Sequence, residues 1–353
     1  MNIGFTYDLK SEYLQQGLSL EEAAEFDQED TIESIAHTLQ LLGHGVDRIG
    51  NLKSLIGRLY AGDRWDLVFN ICEGRLGVAR EAQVPALLEA FNIPYTFSDA
   101  AAMVYTLDKA LAKLMVRDAG IRTPQFLVVY QPEDCKFCHL TYPLFAKPLA
   151  EGTSKGIDVS SKINNSSSLL QVCTNLLHKF HEPVLVEEYL PGREFTVGII
   201  GTGAAARVVG AMEIQLQKAN NQEAYSFDNK IEYEKYVKYT PIKGELLTAC
   251  ADFSLAAWRT LSLRDGGRVD VRFDRENQLS FIEANPLAGL NPMHSDLPIL
   301  CRLNGITFEQ LIQGILASAL QRIAELGDDA EVVIEPVTNI PVLDSGKLKI
   351  AVK

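Results

Sequence analysis

The sequence predicts a mixed α/β and α+β protein, with a parallel sheet near the N-terminus and antiparallel sheets behind it. Three observations carry that prediction. Strand-like and helix-like segments alternate from Asn2 to Asn92, the pattern of a parallel sheet with crossover helices. From Phe126 the texture changes to short strand-like runs (VVY, LFAKP, GIDVS, VLVEEY, FTVGII, RVVGAMEI) separated by turn residues, as in an antiparallel α+β region. Finally, two apolar segments, Val269 to Phe273 and Leu279 to Ala284, place Asp270, Glu283 and Asn285 where neighbouring strands can bring them together.

Taken in order, Asn2 to Tyr7 reads as a short buried strand, followed by an acidic, polar run through Asp30. Ile32, Ile35, Ala36, Leu39 and Leu42 recur at helical spacing; Asp30 or Thr31 can cap the start and Gly43 ends the helix. Val46 begins a second strand, Leu52 to Tyr60 a helix, and Asp66 to Cys72 a third strand, apolar enough to be buried on both faces. Arg80 to Asn92 reads as a helix in which Pro85 is acceptable only in the first turn or at a kink. Leu107 to Ala119 is helical, and Gly120 with Pro124 closes it, which puts the first domain boundary between Ser98 and Asp108. One helix, near Ser167 to Phe180, interrupts the antiparallel region, and Glu245 to Leu263 is a long helix before the last strand pair. Thr307 starts an amphipathic helix whose stripe of Phe308, Leu311, Ile312, Ile315 and Leu316 suits core packing. The tail from Val332 contains two short strand-like pieces to which no function attaches.

At 353 residues the chain is too long for one ordinary core. Hydrophobic residues at 47% and charged residues at 22% place it with globular rather than disordered chains. A net charge of -13 leaves no basic stripe to neutralise phosphates, so a small-molecule substrate is expected and a nucleic-acid partner is not. The N-terminus lacks a basic region followed by an apolar core, and no apolar run reaches the roughly eighteen residues of a membrane span, so the expected setting is cytoplasmic. The six cysteines then read as reduced thiols. Cys135, Cys138 and His139 form CxxCH, the attachment pattern of c-type haem, but without an export signal a chance match in a loop is the better reading.

Three stretches carry chemistry. Glu283 and Asn285 lie two apart on a strand, so both side chains leave one face, and Asp270 can join them. Hard oxygen donors of this kind suit Mg²⁺, which completes its shell with water and nucleotide phosphates. The segment Pro286 to Pro298 that follows reads as a loop that shapes a substrate pocket, with His294 and Ser295 in it. Lys147, at the end of LFAKP, precedes Glu151, Gly152, Thr153, Ser154, Lys155 and Gly156, a flexible run of hydroxyls and free backbone N–H groups able to hold a polyphosphate. That run lacks the order of a P-loop, and a solvated hairpin turn is its plain alternative. In VLVEEYLPGREFTV, the exit of an apolar strand offers Glu187, Tyr189 and Leu190 to an adenine edge and Glu194 to ribose hydroxyls. Gly201, Thr202 and Gly203 lie between two strands with no helix after them and read as a hairpin turn.

In order, LDKALAK at Leu107, LFAKPLAEGTSKG at Leu144, VLVEEYLPGREFTV at Val184, GGRVDVRF at Gly266 and FIEANPLAGLNPMHSDLP at Phe281 resemble the D-alanyl-D-alanine ligases of the ATP-grasp superfamily. NICEGRLGVAREAQVPALLEAFNIPYT is similar to that family's N-terminal domain. The resemblance implies an ATP-grasp fold in three parts: an N-terminal doubly wound domain over 1–103, a central lid over 104–190 and a C-terminal catalytic domain over 191–325, with a tail, 326–353, of no assigned role. ATP would lie between the last two parts. Carried over by motif, Lys109, Lys147 and Lys230 would bind its phosphates, Glu187 with Tyr189 and Leu190 its adenine, and Glu194 its ribose. Thr153 and Ser154 would sit in the lid loop over the reacting groups, and Arg268 would stabilise the tetrahedral intermediate. Asp270, Glu283 and Asn285 would hold Mg²⁺, with Mn²⁺ able to stand in for it. The implied reaction joins two amino-acid-like substrates through an acylphosphate, and the implied assembly is a homodimer formed through the N-terminal domain.

The departures from that pattern cluster on the substrate side. Where the family has a glycine-rich turn and then a glutamate for the first substrate's ammonium, this chain has the longer polar insert from Asp8 to Asp30, with Glu29 as the matching carboxylate. Glu73 stands where the family has a histidine that orients the second substrate, and Ile231 follows Lys230 where a tyrosine is common. PLAGLNPMHSD replaces a shorter segment, with Ser295 still placed for the second substrate's carboxylate. D-Alanine is thus one candidate pair. A ligase for L-amino acids or a natural-product intermediate, or a non-catalytic ATP-binding module, are the alternatives.

Overall fold

The computed structural model describes residues 1–216 and 237–326. The expectations for Lys230, Ile231 and the tail beyond residue 326 lie outside the described residues.

The chain opens with β1 (Asn2–Thr6), α1 (Lys10–Gln15), α2 (Glu29–Leu41), β2 (Gly45–Gly50), α3 (Leu52–Tyr60) and β3 (Leu67–Asn70). The three strands form one parallel sheet in the order β2-β1-β3. All four β3 residues are buried, as the apolar Leu67, Val68 and Phe69 require, and buried Asn70 accepts from the Thr6 hydroxyl at 2.9 Å. The polar insert is folded rather than loose: α1 and the turns after it bury Tyr13, Ala23 and Phe26, with the two rings stacked at 4.1 Å. The predicted helix from Arg80 begins as a short 3₁₀ turn, Arg80–Ala82, and continues as α4 (Gln83–Ala90), which puts Pro85 in the first turn, where it is tolerated. A helix that the sequence pattern did not show, α5 (Ala100–Leu107), comes next and ends at Asp108. The helix expected from Leu107 to Ala119 forms as α6 (Lys109–Asp118), with the Asp108 carboxylate accepting from the Ala110 and Leu111 N–H groups at its start.

An antiparallel sheet follows, built from β4 (Phe126–Val129), β5 (Leu144–Pro148), β6 (Lys162–Ile163) and, after α7 (Ser166–Phe180), β7 (Val184–Glu188), in the order β4-β7-β5-β6. Leu169, Val172, Cys173 and Leu176 of α7 cover it, and Cys135 and Cys138 pack against the same core as free thiols. A second antiparallel sheet holds β8 (Glu194–Ile200), β9 (Arg207–Leu216), β10 (Val237–Pro241) and, beyond α8 (Gly244–Thr260), β11 (Gly266–Phe273) and β12 (Leu279–Asn285). Gly201 adopts φ +107 in the β8–β9 connection, a left-handed turn that closes the expected hairpin. The segment after β12, expected as a loop throughout, ends in α9 (Asp296–Leu303), and α10 (Phe308–Leu326) completes the described chain.

One apolar cluster runs from Ile3, Phe5 and Phe69 through Ile32 and Leu39 of α2 to Leu300 of α9 and Leu311, Ile312 and Ile315 of α10. The first sheet and the last helices therefore share a core, which fixes the groove between the loops after β3 and the loop after β12. No helix among the described residues is long and apolar enough to cross a membrane.

Candidate active site

β11 and β12 pair so that Asp270 faces Glu283 and Arg268 faces Asn285 across the ladder. Alternation along each strand sends all four side chains to one face. Thr196 of β8 donates to Asp270 Oδ1 at 2.7 Å, Asn285 Nδ2 lies 3.4 Å from Oδ2, and Arg268 is ion-paired with Asp270. Burial, with Glu283 opposite, pushes the Asp270 carboxyl above its usual range even with Arg268 beside it. Two opposed carboxylates and an amide oxygen on one face are hard oxygen donors, so this donor set fits magnesium.

Two lysines face Glu283, and a third joins one of them on Glu187. Lys147 Nζ of β5 and Lys109 Nζ of α6 lie 3.8 and 3.9 Å from Glu283 Oε2. Glu187 of β7 is gripped from both sides, by Lys113 at 2.8 Å and Lys147 at 3.3 Å. Lys113, fully buried, also donates to Thr123 Oγ1 at 3.1 Å and to the Phe281 carbonyl at 3.3 Å. Burial pushes the Lys113 ammonium below the usual lysine range. Against burial, Lys113 and Lys147 hold the Glu187 carboxyl below its own.

The loop over this wall is strained and tied down. Thr153 and Ser154 both adopt left-handed backbone, φ 51 and 57, and Lys109 Nζ donates to the Glu151 carbonyl at 2.7 Å. Glu25 of the insert reaches the same loop: it accepts from the Gly152 N–H at 2.7 Å and pairs with Lys155 at 3.3 Å and Arg80 at 3.1 Å.

Two cavities share this wall. One, of about 130 Å³, is lined by Lys147, Glu187, Tyr189, Leu190, Glu194, Ser154 and Asp270. The other, of about 530 Å³, is lined by Asn285, His294 and Ser295 on one side and by Asp27, Glu73 and Glu81 on the other. Lys109, Thr153, Arg268, Glu283 and Asp296 border both. A group held in either cavity can therefore meet a group held in the other beside Arg268 and Lys109.

The structure thus brings together the described residues expected for nucleotide, metal and catalysis, with Glu194 paired to Arg272 at 3.1 Å. Glu187 is placed as the anchor of two lysines rather than as a carboxylate free to read a base. Ser295 precedes α9 and its hydroxyl accepts the Asn291 N–H at 3.0 Å. Glu29 requires a correction. It starts α2, stands exposed, and faces Arg48 at 3.6 Å, so it does not reach the cavity; the insert presents Glu25 and Asp27 there instead. Lys113, Asp27, Glu81 and Asp296 were not anticipated. Lys113 had a signal, since it follows Lys109 by four residues in LDKALAK and must share its helix face.

Comparison with known proteins agrees with this geometry. Residues 115–317 match the family model described as D-ala D-ala ligase C-terminus. The chain is 32% identical over 289 residues to the D-alanine–D-alanine ligase of Aquifex aeolicus, spanning 81% of this chain and 93% of that protein. It is 33% identical over 261 residues to the uncharacterized protein y4sG of Sinorhizobium fredii, spanning 72% of this chain and 75% of that protein. A crystal structure of D-alanine–D-alanine ligase from Bacillus anthracis complexed with ATP superposes with a TM-score of 0.68 at 20% identity, covering 93% of this chain and all of that one. That last likeness speaks for the fold, which is ATP-grasp.

Proposed function

We propose, for a chain that belongs to the D-alanine–D-alanine ligase family, an ATP- and magnesium-dependent ligase that joins two amino-acid-like substrates by an amide bond. The nucleotide enters the smaller cavity and extends along the shared wall, with Lys109 and Lys147 on its phosphates, Tyr189 and Leu190 beside the base and Glu194 at the ribose. Magnesium held by Asp270, Glu283 and Asn285 would neutralise charge on the phosphates. A carboxylate in the larger cavity attacks the γ-phosphorus, the bond to the bridging oxygen breaks, and ADP leaves an acylphosphate. The amine of the second substrate then attacks the acyl carbon, the C–O bond to phosphate breaks, and the nitrogen's proton leaves with the phosphate. Arg268, on the boundary between the cavities, meets the oxyanion that develops in this step. The 151–156 loop, closed over the same boundary, excludes water that would otherwise hydrolyse the acylphosphate.

The single observation that carries this reading is the wall shared by the two cavities, where lysine, arginine and opposed carboxylates converge. The three sheets also support the division into 1–103, 104–190 and 191–325, and a cytoplasmic homodimer belongs to the same reading. The test is purified protein with Mg²⁺, ATP and a panel of D- and L-amino acids, dipeptides and simple amines, with ADP release measured and products identified by mass. No ADP above background for any pair would refute the ligase.

A further inference from the structure

One wall of the larger cavity is not used by the chemistry above. Asp27 of the insert, Glu73 just past β3 and Glu81 in the turn before α4 all line it. Among the described residues none of their carboxylates has a hydrogen-bond or ion-pair partner. Glu81 is the most telling, because it is only 9% exposed and still faces the cavity unpaired. A buried carboxylate without a partner is costly, and folded proteins retain one mainly where a ligand completes it. Glu25, on the same wall, shows the contrast: Arg80, Lys155 and the Gly152 N–H satisfy it.

The topology explains why the three converge. In a sheet ordered β2-β1-β3, the chain passes to opposite sides of β1, and the crevice beyond the carboxyl ends of β1 and β3 is the switch point where ligands bind. The insert leaves β1 there, and Glu73 and Glu81 leave β3 there. Arg80 attracts Glu73 and Glu81, and Lys109 attracts Glu81, only from beyond ion-pair distance. Lys10 lines the cavity but pairs with none of the three, Lys109 donates to the Glu151 carbonyl, and Arg268 is held by Asp270. Nor, among the described residues, do any three acidic, histidine or cysteine side chains converge closely enough for a metal ion, which leaves an organic cation as the fitting occupant.

One carboxylate suffices for the α-ammonium of an amino acid, and this wall holds three. We propose that one of the two ligated substrates carries a second cationic group, a side-chain ammonium or guanidinium, which enters between Asp27, Glu73 and Glu81. The proposal rests on the ligase reading for the word substrate, but its geometry is that of a binding site and can be tested without turnover. Burial pushes all three carboxyls up, Asp27 to about 8 and Glu81 to about 7, so the entering cation displaces protons as it binds.

The test compares ornithine with norvaline, which share a three-carbon side chain and differ in its terminal ammonium, each as both enantiomers. Calorimetry on the full chain, with Mg²⁺ and a non-hydrolysable ATP analogue, should find one ornithine enantiomer bound at least about tenfold more tightly than its norvaline counterpart, the worth of one charge-assisted hydrogen bond. In E81Q and in D27N that ratio should collapse. The melting temperature of E81Q should hold or rise, since the change removes a carboxyl whose ionisation burial disfavours, whereas a purely structural Glu81 would make it fall. Equal binding of the two amino acids, or binding of neither, overturns the proposal. ADP release with neutral amino acids alone would likewise sink it while leaving the ligase standing; discrimination for ornithine without any turnover would keep the cation site and sink the ligase.

Discussion

Lys113→Met should destabilise the fold by about 3–5 kcal/mol, the usual cost of breaking a buried ion pair from one side. The structure shows why the loss is large. At 2.8 Å the attraction between Lys113 and Glu187 is about 6 kcal/mol at an effective dielectric near 20, and that between Lys147 and Glu187 at 3.3 Å about 5 kcal/mol. Desolvation offsets much of each, but only while both partners remain. Methionine keeps the length of the side chain, yet it leaves Glu187 buried with one cation and takes the ammonium donor from the Thr123 hydroxyl and the Phe281 carbonyl, the carbonyl keeping only the Thr123 hydroxyl at 2.9 Å. Lys147 is then drawn toward Glu187 and away from Glu283, so ATP affinity should fall as well. Urea unfolding of K113M, E187Q and the double variant forms a thermodynamic cycle. The double variant, lacking both charges, should be more stable than K113M alone, with a coupling of about 2 kcal/mol or more. A K113M midpoint within about 1 kcal/mol of wild type, or a double variant that loses the sum of the singles, would refute the buried-pair account.

Glu283→Gln should retain the fold and lower ADP release at least about tenfold, or roughly 1.4 kcal/mol of barrier, and wild-type rates would remove Glu283 from the mechanism. Lys147→Ala should act chiefly on nucleotide affinity; an unchanged Kd for ATP by calorimetry would contradict its placement in the smaller cavity. Asp27, beside Asp8 and Asp30, and Glu81, beside Arg80, Glu25 and Lys109, are raised by burial to about 8 and about 7. The folded state therefore holds protons that the unfolded chain has already lost, so their contribution to stability declines as pH rises from about 4 to about 8. Asp27→Asn should flatten that decline, read as urea midpoints at either end of the window; parallel curves for wild type and variant would count against the shift.

The elements that sequence pattern located are those whose periodicity is local. The LVFN run of β3, the stripe of α10 and the alternation of Glu283 with Asn285 each declare their faces within a few residues. The failures have equally local causes. AAAMVYTL, which forms α5, is apolar nearly all round and so carries no amphipathic period to read. Asp108 looks like one more helical residue until its side chain is seen capping the next helix. DLPILCRL was hidden by its proline, although Pro298 stands in the first turn of α9, where a missing N–H costs nothing.

The site divides along the same line, and for a physical reason. Its nucleotide half is written on strands and one helix face, where spacing dictates direction, and the structure gathers most of the residues named for it at one wall, although Lys113 was missed and Glu187 anchors two lysines. Its substrate half is assembled from loops at the carboxyl ends of β1 and β3, and there spacing dictates nothing. Glu25 meets the Gly152 N–H across 127 positions and Arg80 across 55, pairings that only the sheet order and the shared core create. Glu29 and Glu25 differ by four places in one acidic run, and the sequence offered no means to choose between them. The stacked Tyr13 and Phe26 choose, because by giving the insert its own small core they fix which carboxylates turn inward and which, like Glu29, turn to Arg48.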